Sequence, residues 1–343
     1  MRPVNNPPNP WQSTHVAYID APPPAQMRVY EENARSILSY NNSSDLGFSW
    51  SINPYRGCFH GCAYCYARPT HQYLDMGAGT DFERKLIVKR NAPALLTQAF
   101  EKPSWKGERV VLSGNTDCYQ PLELNWGITR ELLSICAAFR NPVGIITKSA
   151  IIQRDVDILQ DLTRHAAVQV YISIPFLDRR MSRHIEPGAP SPSKRLQTVQ
   201  VLAEAGISVG VALAPIIPGL NDDQIMPILE AAAEAGATSA FRSLIHFPDP
   251  VDEIFMETLE DAYPDRVDKV RNALREMRNG ALTDERIGER FNGRGARWEM
   301  IAQLFDKSCE RLGIFHRKNE KSSFAKEQTP DTFRRPGAQM ELF

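Results

Sequence analysis

The sequence predicts an α/β fold, a partial barrel of six βα units with an N-terminal arm and a helical C-terminal extension. Three observations lead there. Between Phe48 and Ile245, six short apolar runs alternate with longer stretches whose apolar residues recur at three- and four-residue spacing. Strands alternating with helices make parallel βα units. Gly206 and Gly236 stand just past two of the helical stretches, where a helix ordinarily stops. Before residue 45 and after residue 250 the alternation is missing.

In order, the predicted strands are Phe48–Ile52, Val110–Leu112, Val143–Ile146, Val168–Ile174, Ile207–Leu213 and Ser239–Ile245. The predicted helices between them are Ala92–Phe100, Thr129–Phe139, Asp155–Leu162, Lys194–Ala205 and Asp222–Ala235. Residues 1–44 are rich in Pro, Asn and Ser and include Pro22-Pro23-Pro24, so they read as a flexible arm. Residues 45–250 form the barrel, and 251–315 a helical extension with helices over Arg266–Met277 and Arg297–Leu312. The polar segment 316–343 reads as a flexible tail. A chain of 343 residues is within the reach of one α/β barrel with extensions.

The net charge of −1 demands neither a nucleic-acid nor a membrane partner. No apolar stretch is long enough to span a bilayer, and the opening Met1-Arg2-Pro3-Val4 lacks the apolar core of a secretory signal. A reduced, cytoplasmic protein is the expectation.

The chemistry is concentrated in Gly57-Cys58-Phe59-His60-Gly61-Cys62-Ala63-Tyr64-Cys65-Tyr66-Ala67-Arg68. Cys58, Cys62 and Cys65, spaced C-x3-C-x2-C, suit three irons of a four-iron four-sulfur cluster, leaving the fourth iron open to bind and activate a ligand. A structural zinc ion wants four ligands, commonly two C-x2-C pairs. The remaining Cys118, Cys136 and Cys309 supply no second pair.

With the aromatic Tyr64 just before the third cysteine, this run resembles the signature of radical S-adenosylmethionine (SAM) enzymes. The resemblance implies a six-unit partial barrel and a 4Fe-4S cluster on Cys58, Cys62 and Cys65. It also implies that the open iron chelates SAM, whose reductive cleavage yields methionine and a 5′-deoxyadenosyl radical. Tyr64 would then pack near the adenine, and a reductant protein such as flavodoxin or ferredoxin would supply the electron.

In βα folds, ligands sit at the carboxyl ends of the strands. After the second strand, Asn115, Thr116 and Asp117 offer acceptors. By resemblance they receive the methionyl ammonium; otherwise they close a turn on their own backbone. Lys148, after the third strand, is the candidate partner of the methionyl carboxylate, or else a solvated strand-end lysine. Ser173, ending the fourth strand, either reaches ribose hydroxyls or caps a turn, and Glu186 and Arg195 either pair with each other or touch the cofactor.

The stretch Ile52–Glu83, with Asn53-Pro54-Tyr55-Arg56 and Ala67-Arg68-Pro69-Thr70-His71, more narrowly resembles a bacterial radical SAM group related to spore photoproduct lyase. Thr147-Lys148-Ser149 and Glu186-Pro187-Gly188 match the same group, and the resemblance runs over about residues 41–315. The lyase splits a thymine dimer in DNA, a cysteine after its second strand returning a hydrogen atom. Here that place is Gly114, and Cys118 lies further along, either a hydrogen donor or a buried inert thiol.

The terminal Gln339-Met340-Glu341-Leu342-Phe343 resembles the peptide by which bacterial repair proteins dock on the DNA sliding clamp. The alternative is a tail that tucks onto the domain. Arg286, Arg290, Arg294 and Arg297 suit a phosphate surface, or salt bridges with Asp284, Glu285 and Glu289. Three readings follow: a radical SAM enzyme on a DNA lesion, lyase-like; the same chemistry on a small molecule, peptide or RNA; or a non-catalytic iron–sulfur module on the clamp.

Overall fold

The structure is a computed structural model that describes residues 10, 26–316 and 332–337. Its strands are β1 (Arg28–Glu32), β2 (Leu38–Tyr40), β3 (Trp50–Ile52), β4 (Tyr55–Arg56), β5 (Lys85–Lys89), β6 (Val110–Leu112), β7 (Val143–Thr147), β8 (Val168–Ser173), β9 (Val209–Ile216) and β10 (Ser239–Leu244). The large sheet runs β10-β9-β8-β7-β6-β3-β2. From β3 to β10 its neighbours are all parallel, and each strand lies beside the one before it in that series. Such sequential winding curls a twisted sheet one way and keeps the crossover helices on its convex side. The result is a partial barrel of six parallel strands, edged by the antiparallel β2.

The central strands read as unbroken apolar runs because they are covered on both faces; Val110, Val111 and Leu112 of β6 are all fully buried. On the convex side they meet the apolar stripes of helices Ile128–Ala138, Val156–Thr163, Pro192–Glu204 and Ile225–Glu234. Ser191 caps Pro192–Glu204 by accepting from the Lys194 N–H at 3.4 Å, with Pro192 at the first turn. On the concave side, Phe48, Val111, Tyr171 and Ala212 make a smaller cluster, with the Tyr171 and Phe241 rings edge to face at 4.9 Å.

The expected arm ending at residue 44 is corrected. β1 pairs in parallel with β5, which also holds β4, and β2 pairs with β3. Both strands lie at sheet edges with most side chains exposed, so neither shows an apolar alternation that sequence could betray. Helix Val251–Ala262 was also not expected, because its stretch reads as acidic; Asp252 and Glu253 occupy its first turn, where the helix dipole favours negative charge.

The extension closes over the barrel edge. Helices Pro264–Met277 and Gly295–Leu312 pack together, and Phe315 extends the sheet by bridging Ser239 of β10. The tail is partly tied down: Phe333 packs 5.9 Å from the rings of Phe100 and Phe139, and the Arg334 N–H donates to the Phe139 carbonyl at 2.9 Å. Gln339, Met340, Leu342 and Phe343 lie outside the described residues. No helix among the described residues is long and apolar enough to cross a membrane.

Candidate active site

The cysteine loop leaves β4 and is shaped by the backbone before any side chain acts. Gly57 has φ +72°, and a Cβ there would lie 2.7 Å from the Phe82 carbonyl oxygen, the acceptor of the Cys58 N–H. Gln120 fastens the loop from the other side, accepting from the Phe59 N–H at 3.0 Å and donating to the Gly57 carbonyl at 3.1 Å. Beneath it lies Arg68, fully buried. Its guanidinium donates to the carbonyls of Cys62, Ala78, Gly79 and Gly61 and to Glu83 at 2.5 Å. A charge this deep persists only because every donor has a partner.

Cys58 and Cys62 are buried and Cys65 is partly so. Burial pushes all three thiols up, Cys62 to about 12, with the neighbouring Lys148 ammonium opposing the rise. Iron must therefore displace their protons on binding. Among the described residues no group of three or more His, Cys, Asp or Glu converges as a single-ion site does, so the three thiols fit a larger group than one ion.

They open onto a cavity of about 690 Å³ on the concave side of the barrel, a size suited to a nucleoside-bearing ligand. Tyr64, Asn115, Thr116, Asp117, Lys148 and Ser173 line it as well. The sequence-derived set thus largely converges, but its members are engaged to very different degrees.

Asp117 is held on all sides: Thr147 Oγ1 donates at 2.7 Å, the Lys148 N–H at 2.8 Å and the Tyr119 N–H at 2.9 Å, with His60 Nδ1 at 3.3 Å. Although burial works to raise its carboxyl, His60 and these hydrogen bonds bring it down to about 2. Its role is to fix the turns after β6 and β7. Asn115 is exposed, its N–H held by Asn53 Oδ1 at 2.7 Å, and Thr116 is buried. The Ser173 hydroxyl donates to the Ala214 carbonyl at 3.3 Å.

Glu186 and Arg195 do not line the cavity; they pair with each other. Both are buried, 2.5 Å apart, and Glu186 also accepts from the Tyr64 hydroxyl. Burial opposes ionisation of Glu186, but Arg195 and Lys148 hold its carboxyl below the ordinary range. Arg195 ties the assembly to β8 by donating to the Ser173 carbonyl at 3.0 Å. Lys148 reaches this pair only loosely, 3.8 Å from Glu186 and 5.7 Å from the Tyr64 ring centre, leaving its ammonium at the cavity wall. Cys118 is fully buried in the core, away from the cavity, and burial raises its thiol strongly, so as a hydrogen donor to a cavity ligand it is corrected.

The opposite wall was not foreseen. Tyr66, directly after Cys65, donates to the Gly114 carbonyl and lies 6.3 Å from Phe291 of the extension, which is 5.4 Å from His246. Asp45 accepts from the Gly288 N–H at 2.5 Å and pairs with Arg290 at 2.8 Å, stitching the loop after β2 to the extension. Arg286, Arg294 and Arg297 pair with Asp284, Glu289 and Glu276, so the arginine group is a set of salt bridges rather than a free basic surface. Only a contact 243 positions apart in sequence joins Asp45 to Gly288, and no local signal announces it.

Residues 52–232 match the model of the Radical SAM superfamily. The chain belongs to the radical SAM superfamily. An uncharacterised protein of Mycobacterium tuberculosis is 35% identical over 263 residues, covering 76% of this chain and 77% of the relative. One from Methanocaldococcus jannaschii is 28% identical over 229 residues, covering 66% of this chain and 81% of that one. Among solved structures, spore photoproduct lyase with bound AdoMet and dinucleoside spore photoproduct superposes with a TM-score of 0.60 at 15% identity, covering 83% of this chain and 80% of the other. That likeness is one of fold. An iron–sulfur cluster and SAM are the cofactors of this radical SAM chain, and Cys58, Cys62 and Cys65 are the residues placed to hold the cluster.

Proposed function

We propose that the protein binds a four-iron four-sulfur cluster through Cys58, Cys62 and Cys65, with one iron left for SAM, and acts on a DNA lesion in a lyase-like repair reaction. The observation that carries the reading is the opening of three thiols, ringed by Lys148, Asn115 and Thr116, onto one cavity. Bound there, the cofactors supply a 5′-deoxyadenosyl radical: one electron enters the sulfonium, the C5′–S bond breaks and methionine leaves. Lys148 carries the charge that suits the methionyl carboxylate, while Asn115 and Thr116 offer oxygens to the ammonium. Asp117 and the Glu186–Arg195 pair hold those loops in place.

The lesion reading draws support from the fold shared with spore photoproduct lyase and from the clamp-like peptide. Gly114 and the buried Cys118 leave the cavity without a thiol beyond the three cluster ligands among the described residues, so the end of the reaction differs from one finished by a protein thiol. The proposed partners are the bacterial sliding clamp, bound through Gln339, Met340, Leu342 and Phe343, and a flavodoxin or ferredoxin as electron donor.

The test is turnover on ultraviolet-irradiated duplex DNA with analysis of the nucleosides released. Lesion loss that requires SAM and reductant is the expected result. Irradiated DNA returned unchanged, with SAM cleavage intact, would move the substrate to a small molecule, peptide or RNA. Deleting Leu342 and Phe343 is expected to abolish clamp binding in a pull-down with purified clamp and to leave SAM cleavage unchanged.

A further inference from the structure

The cysteine wall of the cavity is polar but internally satisfied, whereas the wall supplied by β10 and the extension holds a group with nothing to bind. His246 follows β10 and is 9% exposed. Its position is rigidly set: the Leu244 N–H donates to the Phe291 carbonyl at 2.9 Å, the Ile245 N–H to the Ile216 carbonyl at 3.0 Å, and Arg278 donates to the Ile245 carbonyl. The ring stands edge to face with Phe291 at 5.4 Å and lines the cavity. Its buried Nδ1 makes no hydrogen bond.

A buried polar atom left unpaired costs free energy, and native folds seldom leave one without a purpose or a ligand. Two other cavity nitrogens without hydrogen bonds, Arg242 Nε and His316 Nε2, belong to side chains already drawn to Asp306, at 2.6 and 3.5 Å. Around His246 the charges of Arg290 and Arg278 disfavour an imidazolium, which keeps the ring neutral. A neutral imidazole nitrogen suits a neutral donor or acceptor, not an anion. The flanking rings of Phe291 and Tyr66 suit a flat ligand.

We propose that His246 is a substrate-positioning residue whose Nδ1 hydrogen-bonds the polar edge of a planar heteroaromatic substrate held against Phe291. The assignment rests on the reading above, in which a nucleobase enters the cavity. It concerns the hold on substrate and not the cofactor, so it is tested by binding.

The probe is thymidylyl-(3′→5′)-thymidine and its ultraviolet photoproducts, titrated calorimetrically into the full-length, cluster-loaded protein. His246→Phe keeps a ring of similar size against Phe291 and removes the nitrogen; affinity is expected to fall about tenfold, the worth of one hydrogen bond in a closed site, without a lower unfolding midpoint. His246→Asn returns a polar atom near the place of Nδ1 and is expected to recover affinity to within about threefold of the original protein. Equal affinity for the original protein and His246→Phe would overturn the assignment while leaving the nucleobase reading intact. An original protein that binds none of the probes would overturn the nucleobase reading, and the role of His246 with it.

Discussion

The two walls of the cavity are built on opposite principles. Along the cysteine wall, Asp117, Glu186, Arg195 and Arg68 spend their hydrogen-bonding capacity on the protein itself. That wall is rigid before any ligand arrives, as a site for one fixed cofactor should be. The wall made by β10 and the extension carries aromatic faces and the unpaired nitrogen of His246. It is finished by whatever enters. The difference teaches that in this molecule cofactor binding and substrate choice are carried by separate parts of the chain.

The sharpest way to break that contrast is at the thiols. Cys62→Ala is expected to abolish cluster assembly and all SAM cleavage; an intact iron–sulfur absorption spectrum with normal product would remove the cysteine wall from the chemistry. Next in size is Arg68→Met. It strands Glu83 and four carbonyls in the interior and is expected to cost about 3–5 kcal/mol, the range for breaking a buried ion pair from one side. Chemical denaturation reads this, and a change under about 1 kcal/mol would show that the loop is not held by Arg68.

Lys148→Met should weaken SAM binding by about tenfold to a hundredfold, the loss of one charge-assisted contact. Equilibrium dialysis with labelled SAM decides it, and unchanged binding would assign the carboxylate elsewhere.

The smallest effect lies on the other wall and depends on pH. Burial first, then Arg290 and Arg278, lower His246 to about 4, with Asp45 and Asp284 pulling the opposite way. The unfolded chain takes up this proton near pH 6.5 and the folded chain only near 4, so the folded state loses stability as pH falls through that window. His246→Phe is expected to flatten the fall measured by thermal unfolding between those limits. An identical pH profile in the variant would mean that the ring is already solvated.

The same division explains what sequence could reveal. The six parallel strands and their helices were legible because covered strands are continuously apolar and their helices keep a stripe at 3.6-residue spacing. The cluster ligands were legible because a ligand set confined to Cys58–Cys65 leaves its geometry in the spacing. Lys148, Asn115 and Thr116 could be placed because βα topology gathers strand ends. Glu186 and Arg195 were recognisable as a pair, but not that they lie behind the cavity wall. β1, β2 and the substrate wall were not legible. The strands are exposed edges, and Asp45, His246 and Phe291 meet through tertiary contacts that no periodicity records.

The most direct test of the central claim is anaerobic reconstitution of the original protein and Cys62→Ala with iron and sulfide, followed by reduction, SAM addition and chromatography for 5′-deoxyadenosine. The account predicts product from the original protein and none from the variant. An assembled cluster that yields no 5′-deoxyadenosine, with irradiated DNA present or absent, would contradict it.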